Sequence, residues 1–149
     1  MAEKPAYVVN VDVAVRRQRD GDGEYLFIVR GADEDHAPGT LGFPGGTLEA
    51  PPGESGVLAA TAAREVREEV GVDVDAVSVV TSTTFELDTG RPCLNVVVTA
   101  DYAGGDAHVA APDEVDGVAW RTPDAVLGAD ETPPWTADLL ESVLDSRRD

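Results

Sequence analysis

GGTLEAPPGESGVLAATAAREVREEVGV, residues 45–72, is the stretch on which the reading of this chain turns. Two prolines and Gly53 end a loop, so a helix is expected to start near Glu54 or Ser55. Gly71 suits the position just past a helix C-terminus. Leu58, Ala62, Val66 and Val70 recur every fourth residue and form one apolar stripe that must face a core. At about 100° per residue, Glu65 and Glu69 lie roughly 40° apart, with Glu68 beside them. Glu69 falls close to the apolar stripe and is expected to be half-buried. Three neighbouring carboxylates repel one another, and a buried one costs several kcal/mol if left uncompensated. Arg64 reaches Glu68 at the i, i+4 spacing, but one guanidinium cannot neutralise three anions. A hard divalent cation held by oxygens can. The plainer reading is ordinary surface charge on a solvated helix.

What precedes and follows the cluster weighs against that plainer reading. It comes after a Phe43-Pro44-Gly45-Gly46 turn and closes with Gly71 and an apolar Val72. The whole resembles the Nudix box: Gly, five residues, Glu, seven residues, then Arg-Glu-apolar-x-Glu-Glu-x-Gly-apolar. The last nine positions, Arg64 to Val72, match at every specified place. The front half departs. Seven residues separate Gly46 from Glu54 and nine separate Glu54 from Arg64, four more in all than the pattern allows. The position eight before Arg64 is Gly56, which has no carboxylate, so the role of the first family Glu is open to Glu54 or to nothing.

The resemblance implies an α/β fold, an α/β/α sandwich around a mixed sheet, with residues 1–149 as one domain. It implies hydrolysis of the diphosphate bond of a nucleoside diphosphate linked to another group. Glu65, Glu68 and Glu69 would hold Mg²⁺ (or Mn²⁺) with the Gly45 carbonyl as a further ligand. Arg64 would orient the cluster through Glu68, and Glu65 or Glu114 would be the general base. Glu114 enters because the family often carries another Glu in a loop before a Trp-bearing strand, able to complete the metal site. Here it precedes Trp120 by six residues, with Asp113 and Asp116 as substitutes. Trp120 itself reads as core. Family members are often dimers, so a homodimer is an expectation. The competing class is a Nudix-like module that binds a nucleotide without cutting it.

Composition bounds the rest. A chain of 149 residues with 42% apolar content can bury one modest core. No apolar run approaches the ~20 residues of a membrane span, and MAEKPAYVV lacks a signal core, so a cytoplasmic protein without a membrane partner is expected. Cys93 stands alone, which excludes an intrachain disulfide. The net charge is −18, with Lys4 the single lysine. Such a chain is too acidic to grip a nucleic-acid polymer. Self-repulsion on this scale points to a halophilic protein from a salt-accumulating cytoplasm.

Elsewhere the patterning predicts strands at 7–17, 25–30, 77–87, 93–102 and 118–121, the second buried on both faces. Gln18 to Glu24 reads as a turn. Its resemblance to a calcium loop fails at the sixth position, Tyr25, where glycine is required. No Gly-Lys-Ser/Thr phosphate loop is present. His36 falls in a polar loop and takes no role. Residues 123–127 suggest a helical turn. A last amphipathic helix is expected from Thr136, with Arg147 and Arg148 in its final turn. Arg16, Arg17, Arg91, Phe85 and Tyr102 are candidates to touch phosphate or base, each equally readable as structural. A (d)NTP or an ADP-ribose-like substrate is favoured because the domain is small.

Overall fold

The computed structural model describes residues 4–32 and 38–147; His36 and Arg148 lie outside them. Seven strands form one sheet: β1 (Val8–Arg19), β2 (Asp22–Arg30), β3 (Leu41–Gly42), β4 (Gly45–Thr47), β5 (Asp73–Glu86), β6 (Pro92–Gly104) and β7 (Val115–Arg121). Three helices accompany it: α1 (Val57–Val70), α2 (Pro123–Leu127) and α3 (Pro134–Ser146). β1 pairs with β6 in parallel and with β2 and β4 antiparallel, so the sheet is mixed.

Alternation along β1 builds two cores. Val11, Val13 and Val15 face α1, where Ala62, Val66 and Val70 are fully buried and Leu58 packs partly against them. Ala14 faces the other way, with Tyr25, Phe27 and Phe43, onto Val126 of α2 and Leu140 and Val143 of α3. Helices on both faces of a mixed sheet give the expected α/β/α sandwich. Each fully buried Val or Leu contributes about 1.5–3 kcal/mol, so the α1 stripe is a major part of what holds the helix. Tyr25, Leu26, Phe27 and Ile28 are all buried, as a strand covered on both faces requires.

β1 changes partner partway along. From Arg16 to Arg19 it pairs with β2; from Asn10 to Asp12 it pairs with β4 instead. β2 meanwhile goes on to pair with β7 and β3. The two strands therefore part, and the short glycine-bearing β4 fills the split beneath α1.

Several boundaries differ from expectation. The first turn is only Asp20-Gly21, with φ of 52° and 86°; two positive φ values make a tight hairpin, so both strands run on into residues read as turn. α1 begins at Val57, because the residue before it, Gly56, sits in the left-handed region at φ 65° and makes no side-chain cap hydrogen bond. β5 starts at Asp73 through an irregular register that includes Ala76 at φ 53°. β6 extends one residue earlier and two later, and β7 starts at Val115, each carried by its neighbour's ladder. α3 starts two residues early at Pro134, where proline suits a first turn, and ends at Ser146, which leaves Arg147 just past the helix. β3 and β4 were not expected, since strands of two and three residues carry no period of their own.

Candidate active site

Glu69 is the centre of the site. It is 6% exposed, on the face of α1 beside Val66 and Val70. Its carboxylate accepts a hydrogen bond from the Gly45 N–H at 2.8 Å. Burial pushes its pKa up to about 8 against that bond, with the charges of Glu114 and Glu65 adding to the rise and that of Arg30 opposing it. The expectation of a half-buried carboxylate near the stripe is met in stronger form.

Glu65 lies one turn back and is partly buried, its pKa also raised by burial and partly offset by Arg64. Its carboxyl group sits where a Gly46 side chain would be, so only glycine at 46 lets strand and helix approach this closely. A side chain on Gly45 would likewise run into the Val11 carbonyl. Arg64 donates to Glu65 at 3.0 Å and to the Thr47 carbonyl at 3.3 Å. This corrects the expected pairing with Glu68: β4 offers a carbonyl on the Glu65 side, and the guanidinium spans the two. Glu68 is exposed and acts on Arg64 through its charge alone, as does Glu49.

Glu114 comes from a distant loop, brought over by the chain that closes α1. The His108 N–H donates to the Val70 carbonyl and the Ala110 N–H to the Glu69 carbonyl. The Gly31 N–H then holds the Glu114 carbonyl at 2.9 Å. Glu114 is exposed, yet its charge raises the pKa of both Glu65 and Glu69. Asp116 is instead tied to the Ala32 N–H, and Asp113 is exposed. Glu54 is exposed in the loop before α1.

Three carboxylates thus share one electrostatic neighbourhood, and among the described residues no cationic side chain is bonded to the most buried of them. Their donors are all oxygen, which fits a hard divalent ion such as Mg²⁺. Among the described residues, no three acidic, histidine or cysteine side chains converge closely enough to form a ready-made cage. The fit is therefore one of donor chemistry and charge.

Beside this centre lies a cavity of about 550 Å³ on the α3 side of the sheet, bordered by Asp12, Thr47 and Arg30. Arg30 joins the two, since its charge is felt by Glu69. Sequence reasoning missed Arg30, Asp12, Asn10, Asn95 and Trp135; these positions carry no motif and become neighbours only through the sheet. Of the suggested ligand contacts, Phe85 borders this cavity. Arg17 pairs with Glu24 and lies 4.2 Å over the Trp120 ring, which Tyr102 meets edge-on at 5.5 Å. Trp120 packs against the α1-side core, as expected. Arg16 borders a separate hollow with Tyr25, and Arg91 lies in the exposed β5–β6 turn.

The fold and this box helix agree with comparison to known proteins. The profile of the NUDIX domain matches residues 6–143. The MutT protein from Methanosarcina mazei Go1 superposes with a TM-score of 0.76 at 26% identity, over 100% of both chains. The E. coli ORF135 protein does so with a TM-score of 0.69 at 27% identity, over 97% of this chain and 93% of that one. The NUDIX domain of Shewanella oneidensis NrtR, solved with ADP ribose, shares the fold at 19% identity and a TM-score of 0.75, over 96% and 90%. No curated protein matches the chain in sequence. The chain belongs to the Nudix family. It is a Nudix pyrophosphohydrolase, a hydrolase of nucleoside diphosphate derivatives.

Proposed function

We propose that the protein is a Mg²⁺-dependent enzyme that cleaves the diphosphate of a (d)NTP or an ADP-ribose-like nucleotide. The observation that carries this is the buried Glu69 carboxylate, bonded to the Gly45 N–H and within the fields of Glu65 and Glu114. Glu65, Glu68, Glu69 and Glu114 would hold the metal, with the Gly45 carbonyl as a further ligand. Bound Mg²⁺, or Mn²⁺ in its place, would acidify a water and stabilise charge developing on the phosphoryl oxygens. Glu65 or Glu114 would take the proton from the attacking water. Arg64 holds the Glu65 carboxylate in place, and Arg30 lies where it can meet a substrate phosphate on its way from the cavity. The ligand named for the NrtR domain supports a nucleotide-type substrate.

The acidic composition supports a halophilic, cytoplasmic setting, with one domain over 1–149 and a homodimer as the assembly to test by light scattering. A second reading, nucleotide binding without cleavage, draws on the displaced Glu54 and the open spacing of the carboxylates. Incubation with Mg²⁺ in high KCl and a panel of nucleoside diphosphate derivatives separates the two. Cleavage of one class, reduced at least 100-fold in Glu69→Gln with its circular dichroism unchanged, is expected. Binding without any cleavage would favour the second reading.

A further inference from the structure

A second hollow, of about 490 Å³, shares no residue with the cavity beside the carboxylates. β1 leaves the carboxylate centre at Asp12, the strand partner of Gly45. Arg16 follows about 13 Å further along the same face of that strand. There it stands directly across from Tyr25 of β2. The end of α3 covers this corner, with Leu144 packed against the core and Arg147 three residues on. Arg16, Tyr25, Leu144 and Arg147 all line the hollow, together with Asp22 and Asp124.

Three of these groups lack the same thing. Tyr25 is 2% exposed, and its hydroxyl has no hydrogen-bond partner among the described residues. Burial raises its pKa and the charges of Arg147 and Arg16 oppose the rise, so the hydroxyl stays protonated within the fields of both. Both arginines line the hollow and both act on this hydroxyl, so the polar end of the ring faces the hollow. A guanidinium only donates, so neither arginine can accept the phenolic proton. Among the described residues neither is within ion-pair distance of a carboxylate. Arg16 is steadied by a neutral partner instead: the Gln18 amide oxygen accepts from both its terminal nitrogens. Gly23, with no side chain, leaves the guanidinium its room. Two uncompensated guanidiniums and an orphaned hydroxyl thus all call for an acceptor, and a buried hydroxyl left without one is costly.

We propose that this hollow is a second ligand site, for a small phosphate monoester that also carries hydroxyl groups. The phosphate oxygens accept from Arg16, Arg147 and the Tyr25 hydroxyl together, which meets all three deficits with one oxyanion. Asp22 and Asp124 restrict the rest of the ligand. Ionised carboxylates only accept, so the part that faces them must donate and carry no negative charge. Sugar hydroxyls do this; a second phosphate does not. The volume lies in the range that holds a small organic molecule. The site rests on no part of the proposed cleavage.

Calorimetric titration of the metal-free protein in EDTA with ribose 5-phosphate, AMP, inorganic phosphate and ribose tests this. Ribose 5-phosphate or AMP should bind at least tenfold more tightly than ribose or inorganic phosphate, and the better of the two tells a sugar phosphate from a nucleotide. Arg147→Gln and Tyr25→Phe should each weaken that binding at least fivefold. Arg91→Gln, the same loss of charge in the exposed β5–β6 turn, should leave it within twofold. Tyr25→Phe should melt in urea no earlier than wild type, because the hydroxyl it removes has no partner within the chain. Inorganic phosphate bound as tightly as the esters, equal binding by the Arg147 and Arg91 variants, or no binding of any phosphate would overturn the site. A Tyr25→Phe protein that melts earlier but binds as wild type would do the same, since the hydroxyl would then serve the fold alone.

Discussion

At the residue scale, Glu69 couples the site to stability. A carboxylate whose folded pKa is raised to about 8 stabilises the fold in its protonated form. That contribution is complete below the unfolded value, about 4.3, and is lost as pH rises through about 8. Metal-free wild-type protein in EDTA should therefore lose stability from pH 5 to 8.5 relative to Glu69→Gln, by on the order of a few kcal/mol. Urea melts of both proteins across that range measure it, and parallel pH curves would count against a buried, uncompensated Glu69. Gly46 makes the matching steric prediction. Gly46→Ala puts a methyl on the Glu65 carboxyl group. It should cost about 1–3 kcal/mol of stability and at least a tenfold loss of turnover, since Glu65 must leave its place beside Arg64. Turnover equal to wild type would show that Glu65 is not held there for catalysis.

At the element scale, α1 is aligned by its C-terminal end as much as by its apolar stripe. Gly71 takes φ 73°, its N–H bonds the Arg67 carbonyl, and the His108 ring occupies the space a side chain would need. This same loop runs on to Glu114. Gly71→Ala should then destabilise by ~1–2 kcal/mol for the left-handed backbone, with more for the displaced histidine. His108→Ala in the same chain should restore the second part. A double-mutant cycle by denaturant melting checks this, and strict additivity of the two changes would rule out the contact.

For the whole molecule, charge dominates. At −18 the chain repels itself, and screening shortens from about 10 Å at 0.1 M salt to about 3 Å at 1 M. The Tm should rise by several degrees between 0.1 and 2 M KCl, measured by scanning calorimetry without divalent ions. A flat or falling Tm would remove the halophilic reading. The prediction belongs to this scale because the excess acidic groups are spread along most of the chain and only a few of them belong to the site.

The linear chain was enough to identify the helix, its stripe and its carboxylates, because helical periodicity and a spaced motif are local properties. Arg64 to Val72 announced the family and two of the three neighbouring carboxylates, Glu65 and Glu69, and Gly71 announced where the helix stops. The α/β/α class followed from that resemblance and from the order of the elements. Tertiary structure decided everything that depends on partners far apart in sequence. It chose Glu65 over Glu68 for Arg64, because β4 supplies the Thr47 carbonyl on that side. It tied Asp116 to Ala32 while bringing Glu114 into the field of Glu69. It also bonded Asn10 to Asn95 across the β1–β6 pair, partners separated by 85 residues, a juxtaposition that hydrogen-bonded register creates and no local pattern encodes.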